Sequence, residues 1–454
     1  MVTRPDEAIT GEELASVEAP ESSRRRVKQK GFSRMLRLLG PGIVTGAADD
    51  DPSGIATYSQ AGAQFGLAAP WMMLFTYPIM TAVQEACMRI GAVTGKGLAA
   101  VIKQSYPKWL LVPVVALVVI ANTLNIGADI GAMAASTNLI IPIPYPFLAI
   151  TFSVIMIALE VFVPYKSYVK ILKWLALALF SYVITAFLVN VPWLKVLQAT
   201  VVPKIEFKLN FLYIFVGVLG TTISPYLFFW QASEVVEDEI AAHRLTQGGG
   251  APKITHHYLR KLRLDTVYGM LFSNVMSWFI IIVSAVVLNE AGIFGINSAS
   301  DAAKALEPLV NGFPDAGLMA KTIFSIGVVG IGLMSVPVLA GSSSYAIAEA
   351  FGWNEGLFRK FAAARAFYLV IILSTLVGLG MNFAGIDPIK ALIFSAVFNG
   401  VAAVPLIGLI FFISRRKDIM GDYISGFFSQ IGLIVAWIVM AAASMAMIVS
   451  FFVN

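Results

Sequence analysis

The chain changes character at residue 36. Residues 1–35 are polar, and an acidic stretch from Glu12 to Glu21 runs into Arg24, Arg25, Arg26, Lys28 and Lys30. From Leu36 onward apolar runs follow one another, each of about 20 residues or more, the length a helix needs to cross a bilayer. They fall at about 36–65, 68–92, 109–139, 146–164, 169–190, 210–234, 264–289, 318–347, 362–382, 387–413 and 426–453. The pattern predicts an all-α polytopic membrane protein. It has about eleven transmembrane helices over residues 36–454, behind a disordered, basic cytoplasmic tail at 1–35. The tail is not read as a signal peptide, because no short apolar stretch with a cleavage site follows its charges.

Composition agrees. Hydrophobic residues make up 58% of the 454 and charged residues 13%, against about 25% charged in soluble domains. A soluble fold, a disordered chain and a coiled coil are excluded. The net charge of +5 is expected to sit in cytoplasmic loops and not to bind nucleic acid. Alternate loops carry the cations: Arg89, Lys96 and Lys103; Lys166, Lys170 and Lys173; Arg244, Lys253, Arg260, Lys261 and Arg263; Arg359, Lys360 and Arg365; Arg415, Arg416 and Lys417. The positive-inside rule then puts the N-terminus in and the C-terminus out, with the segment around Lys195, Lys204 and Lys208 as an exception. A bacterial inner (plasma) membrane is the expected location. The lone Cys87 is read as inert packing. His243, His256 and His257 fall in one polar loop, which excludes a transmembrane histidine relay. No nucleophile–base pair occurs in the spans, so no enzyme, no cofactor and no obligate protein partner are expected. Trp71, Trp109, Trp174 and Trp193 fit interfacial belts.

Two apolar runs are interrupted near their middles. The first reads Gly46-Ala47-Ala48-Asp49-Asp50-Asp51-Pro52-Ser53-Gly54. A single carboxylate at the centre of a spanning helix costs about 2.5–3.5 kcal/mol to insert. Pro52 removes a backbone donor and Gly54 tolerates unusual angles, so the helix unwinds and frees its carbonyls. Such carbonyls survive at membrane depth only where they line a cavity or bind something. Beside three carboxylates they make a cation site. The sixth run breaks at Gly220-Thr221-Thr222-Ile223-Ser224-Pro225-Tyr226. Paired breaks in the two halves of a chain point to a transporter site between inverted repeats. Pro78, Pro337 and Pro405 are read as plain kinks.

These residues carry a resemblance. Asp51-Pro52-Ser53-Gly54, then Ala56-Thr57 and Gln60-Ala61-Gly62-Ala63, resemble the first helix of the natural-resistance-associated macrophage protein (Nramp) family of divalent-metal transporters. Arg89-Ile90-Gly91 and Thr94-Gly95-Lys96 are similar to the end of that family's second helix. The resemblance implies a LeuT-like fold. Two inverted five-helix repeats would span about 36–190 and 210–413, with one extra helix at about 426–453. It implies a metal site at Asp51, the Ala48 and Thr221 carbonyls, Gly54, and the Thr221 and Ser224 hydroxyls. Gly54 stands where the family has a coordinating Asn, which suggests a roomier site. Ser224-Pro225-Tyr226 replaces Met-Pro-His, and Gln231 stands at a second histidine position. Asn125 and Ala128 replace the family's proton-route acids, with Asp129 one position beyond. The pattern is similar to the family's magnesium-transporting branch.

A thioether favours transition metals, and its loss removes that bias. Mg²⁺ prefers oxygen ligands and keeps several waters. The expected function is therefore import of Mg²⁺, with Mn²⁺ alongside, by alternating access without proton coupling. The ion and the lipid bilayer are the expected partners. Asp49 and Asp50 would draw cations from an outer vestibule. Thr222, Tyr226, Gln231, Asn125, Asp129 and Asn399 are further pathway candidates. Glu85 with Gln84 and Arg89 is read as an inner-end ion pair or gate. Glu234, Glu237, Asp238 and Glu239 are read as a loop at the inner end of helix six. The rivals are a proton-coupled Mn²⁺ or Fe²⁺ symporter, an amino-acid or amine carrier on the same fold, an enzyme or receptor built on membrane helices, and Al³⁺ as cargo.

Overall fold

Proline at helix starts organises much of the chain. In the computed structural model, which describes residues 46, 49–163, 179–245 and 252–453, α1 (Pro52–Phe65) begins on Pro52 with Asp51 as its cap. The first helical position tolerates proline because its N–H has no partner within the helix. α2 (Trp71–Thr94) and the short α3 (Leu98–Ser105) lead into the long α4 (Lys108–Asn138). α5 (Tyr145–Phe162), α6 (Phe180–Leu188) and α7 (Trp193–Val201) complete the first half. The sixth run divides into α8 (Leu209–Thr222) and α9 (Pro225–Ala241), again with a proline opening the second piece. α10 (His256–Ser284), α11 (Ala316–Phe351), α12 (Arg365–Met381), α13 (Pro388–Arg415) and α14 (Phe427–Val453) follow.

Among the described residues, seven helices are long and apolar enough to cross a membrane. Pro78, Pro337 and Pro405 lie inside α2, α11 and α13. The tail at 1–35, Ala48, Lys166, Lys170, Lys173 and Trp174 lie outside the described residues.

Several expectations are corrected. His256 and His257 form the first turn of α10, capped by the Thr255 hydroxyl, rather than a loop. Glu234 to Glu239 belong to the last turns of α9, and Glu239 is fully buried. Trp71 is no interfacial anchor. It is buried and packs on Phe215 at a ring distance of 5.5 Å. Trp109, by contrast, is 74% exposed, as a membrane-facing ring should be. Cys87 is a buried free thiol.

α4 packs against α5, α11, α12 and α13 and forms the spine of the fold. α1 lies against α8, α10 and α13. The halves of the broken helices have matching partners: α1 sits on α10, and α9 sits on α2. Small residues permit the tightest of these approaches. A methyl group on Gly220 of α8 would strike the Ala396 carbonyl and the Gly400 backbone of α13. Neither partner is a side chain that can swing away. Overpacking of this kind costs about 1–3 kcal/mol. Gly220→Ala is therefore expected to lower the unfolding temperature in detergent, and an unchanged temperature would disprove the close approach.

One end of the bundle is tied by carboxylates. Glu349 of α11 accepts the Ala100 N–H of α3 at 3.0 Å and the Ser233 hydroxyl of α9 at 2.9 Å. Glu237 of α9 accepts the Tyr345 hydroxyl and the Leu357 N–H. Glu355, in the loop after α11, joins them around a cavity of about 270 Å³. Burial, then the charges of Glu349 and Glu237, push its carboxyl up to about 9, with Arg359 and Lys103 opposing. The folded state thus holds a proton that the unfolded chain releases near pH 4.3. The penalty is absent below that pH and grows as pH rises toward 9. Glu355→Gln is expected to raise the unfolding temperature by roughly 2 °C or more at pH 8 and to leave it unchanged at pH 4. An equal effect at both pH values would refute the charge origin.

Candidate cation site between the broken helices

The site begins as a helix cap. Asp51 adopts extended angles (φ −71°, ψ 171°), and its Oδ1 accepts the Gly54 N–H at 2.8 Å. The Ser53 hydroxyl donates to the same oxygen at 2.6 Å. An aspartate in this position satisfies one of the four free donors at a helix start. Oδ2 turns the other way and accepts the Asn125 amide of α4 at 2.6 Å. Asn125 in turn accepts the Ser395 hydroxyl of α13 at 2.6 Å. One buried carboxylate thereby links α1 and α4 through charge-assisted hydrogen bonds, the stronger kind, and reaches α13 through the neutral Asn125–Ser395 bond. A carboxylate offers about four lone-pair directions, so capacity remains for a cation.

Across from Asp51 stands the break between α8 and α9. Ile223 and Ser224 leave the helical conformation. The Ser224 hydroxyl lies within 3.0 Å of the Gly220 carbonyl and 2.7 Å of the Thr221 carbonyl. It covers the carbonyls freed by the break and does not face the site as an open oxygen ligand. Thr222 donates to the Val218 carbonyl at 2.6 Å, so at 3.1 Å the Tyr58 hydroxyl is the donor to Thr222. Thr221 Oγ1 lies 3.5 Å from the Ser53 hydroxyl.

Gly54 does not leave the open space its composition suggests. A Cβ there would stand 3.2 Å from Thr221 Oγ1, 3.2 Å from the Tyr58 ring and 3.7 Å from Asp51 Oδ1. The space freed by the missing side chain is taken up by Thr221 and Tyr58. Asp51, Gly54, Thr221 and Asn125 are thus brought together, with Thr222 attached through Tyr58. Among the described residues no three carboxylates or imidazoles gather closely enough to hold a metal by themselves. An ion at Asp51 would complete its shell from hydroxyls, carbonyls and water.

The remaining candidates are placed as follows. Asp49 and Asp50 line no open vestibule: both are buried, against the Ser273 and Ser277 hydroxyls of α10. Asp129 is buried on α4 and accepts the Ser335 hydroxyl of α11 at 3.0 Å. Tyr226 is buried, and its carbonyl accepts the Ser342 hydroxyl at 2.7 Å. Gln231 Oε1 and both amide atoms of Asn399 are buried without partners among the described residues, and no hydrogen bond joins them to Asp51. Glu85 pairs with Arg89 and accepts the Ser429 hydroxyl at 2.7 Å. Sequence reasoning missed Tyr58, Ser395, Ser335, Ser273 and Ser277. Only the last two left a trace, as serines one turn apart in an apolar helix.

A multi-pass helical bundle with two broken helices meeting at a buried carboxylate defines a LeuT-like membrane transporter fold. The profile described as natural resistance-associated macrophage protein-like matches residues 42–450. The chain belongs to the Nramp family and is a multi-pass integral membrane protein. It is similar to the divalent metal cation transporter MntH of Caldanaerobacter subterraneus subsp. tengcongensis, with 27% identity over 92% of this chain and 95% of that one. Against MntH of Deinococcus radiodurans the identity is 25%, over 91% and 89% of the two chains. In solved structures the fold resembles the Eremococcus coleocola manganese transporter, with TM-score 0.70 and 16% identity over 96% of this chain and 90% of that one. It also resembles MhsT bound to L-phenylalanine, with TM-score 0.57 and 13% identity over 90% and 97%.

The Asn125 bond holds the Asp51 carboxylate in position. A hydrogen bond to a charged group is worth about 1.5–3 kcal/mol. Asn125→Ala is expected to weaken Mn²⁺ binding about 10-fold to 100-fold, measured by titration calorimetry. Unchanged affinity would remove Asn125 from the site.

Proposed function

We propose that the chain imports divalent metal cations, Mg²⁺ with Mn²⁺ alongside, by alternating access and without coupled protons. Membership of the Nramp family, and relatives named as divalent metal cation transporters, support the cargo class. The Eremococcus structure, described as a manganese transporter, supports Mn²⁺ within it. The single observation that carries the choice of a hard ion is the donor set around Asp51. Among the described residues it consists of a carboxylate, hydroxyls and an amide, with the Thr221 carbonyl behind Ser224, and includes no thioether or imidazole. Oxygen donors around one carboxylate suit an ion that keeps part of its water shell. Asp51, Gly54 and Thr221 hold the ion in this reading, with the Ala48 carbonyl as a further ligand. Ser224 shapes the Thr221 carbonyl, and Asn125 orients Asp51.

The matching partners of α1 and α9 support two inverted repeats at about 36–190 and 210–413, with α14 as the extra helix. The loop cations support a cytoplasmic N-terminus in a bacterial inner membrane. Two charges moving through 100 mV supply about 4.6 kcal/mol, enough to drive uptake without protons.

Proteoliposomes under an imposed potential test the reading. Mg²⁺ and Mn²⁺ are expected to enter without internal acidification, and Asp51→Ala is expected to abolish both fluxes. Ser224→Met is expected to shift preference toward Cd²⁺. Mn²⁺ entry with acidification and no Mg²⁺ flux would instead establish a proton-coupled symporter, and full uptake by Asp51→Ala would overturn the site.

A further inference from the structure

Beside Asp51, on the side facing α10, the structure holds a second set of hard donors. Ser273 Oγ lies 2.8 Å from Asp49 Oδ2 and 3.0 Å from Asp50 Oδ1. A serine hydroxyl has one proton and cannot donate to both. Ser277 Oγ lies 3.0 Å from Asp50 Oδ1 and 3.0 Å from the Ser273 carbonyl, so its single proton is shared as well. The two hydroxyl protons face more acceptors than they can serve. The other two carboxylate oxygens, Asp49 Oδ1 and Asp50 Oδ2, are buried and have no partner among the described residues. Both side chains are at most 1% exposed.

Among the described residues no lysine or arginine forms an ion pair with them. The ion pairs among the described residues are Arg89–Glu85, Lys208–Glu206, Lys304–Asp301 and Arg416–Asp418, none of them at Asp49 or Asp50. Buried carboxylates without a counter-ion are costly in a low-dielectric interior. A cation supplies both what the orphaned oxygens lack and the missing charge. The donors are carboxylate and hydroxyl oxygens, which select a hard ion, and two carboxylates match the charge of a divalent one.

We propose that Asp49, Asp50, Ser273 and Ser277 form a second divalent-cation subsite, distinct from the Asp51 site and built between the first broken helix and α10. It rests on the proposed function only for the identity of the ion. Ser273 and Ser277 belong to a helix that contributes nothing to the ligands of Asp51, so the two subsites are separable by mutation. With both occupied, the ions stand on consecutive residues of one chain, close enough for their spins to interact when both are Mn²⁺. Occupancy of the subsite would also tie α10 to the unwound segment.

The test uses the purified full-length chain and Mn²⁺ as the probe, with stoichiometry from equilibrium dialysis and coupling from electron paramagnetic resonance. The wild type is expected to bind two ions per chain with a spin-coupled spectrum. Ser273→Ala with Ser277→Ala is expected to weaken one ion by on the order of tenfold and to restore an uncoupled spectrum at low occupancy. Asp49→Asn with Asp50→Asn is expected to leave one ion, and Asp51→Ala to leave the other. The serine variants keep the carboxylates and guard against loss of fold in the aspartate variants. One ion in the wild type, lost in Asp51→Ala and indifferent to the serine changes, would overturn the subsite and leave the proposed function standing. One ion lost in both sets would show a single shared site and also overturn it. No Mn²⁺ binding at all would defeat the proposed function together with the subsite.

Discussion

The structure depends on the terms under which a carboxylate can sit deep in a membrane protein. Asp51 is acceptable there because the helix it interrupts supplies donors at the point of interruption. Its Oδ1 receives the Gly54 N–H and the Ser53 hydroxyl, and its Oδ2 receives Asn125. The cap is therefore both a stabilising device and the origin of the site. Removing the break would bury the carboxylate without donors. Removing the carboxylate would leave a helix start without its cap. Pro52 and Asp51 are two parts of one solution, and the ion would occupy what capacity they leave.

The surrounding helices make that solution rigid. α4 supplies Asn125 and packs on α11, α12 and α13, so the amide that holds Asp51 is anchored on the spine of the fold. α13 supplies Ser395 behind Asn125 and meets α8 at Gly220 and Gly400, where backbones touch. The break in the sixth run is thereby held against the same helix that supports the carboxylate. Polar side-chain bonds and close backbone approaches of this kind matter here, since lipid gives helices no hydrophobic reason to associate.

Sequence periodicity was enough to locate the described helical runs and the proline-led helix starts at Pro52 and Pro225. The reason is that length, apolarity and a mid-span Asp-Pro or Ser-Pro are local properties of the chain. Asp51 and Thr221 stand out as candidates for the same reason, and the family resemblance added Gly54 and Asn125 as candidate positions. What stayed hidden depends on which way a side chain turns. Asp49 and Asp50 read as vestibule charges because nothing in their neighbourhood names Ser273, more than 200 residues away. Ser224 read as a ligand because its hydroxyl was counted without the carbonyls it covers. Gly54 read as empty space because the ring that fills it comes from Tyr58 on the same helix, one turn on. Ser395 had no sequence signal, since a lone serine in an apolar helix is ordinary.

The two breaks differ in a way that bears on the chemistry. The sixth run's break is neutral and largely self-satisfied, with Ser224 bonded back to the carbonyls that the unwinding frees. The first run's break concentrates three consecutive carboxylates, and among the described residues only Asp51 has donors on both oxygens. Charge thus resides on one side of the site and dipoles on the other. An ion bound between them would be attracted mainly by the first helix and shaped by the sixth. Neutral oxygen dipoles bind a partly hydrated hard ion without demanding that it shed its remaining water, which is the costly step for Mg²⁺. A thioether at Ser224 would reward an ion for losing that water. On the proposed reading its absence, together with the arrangement of charge, would favour an ion that moves with part of its hydration shell intact.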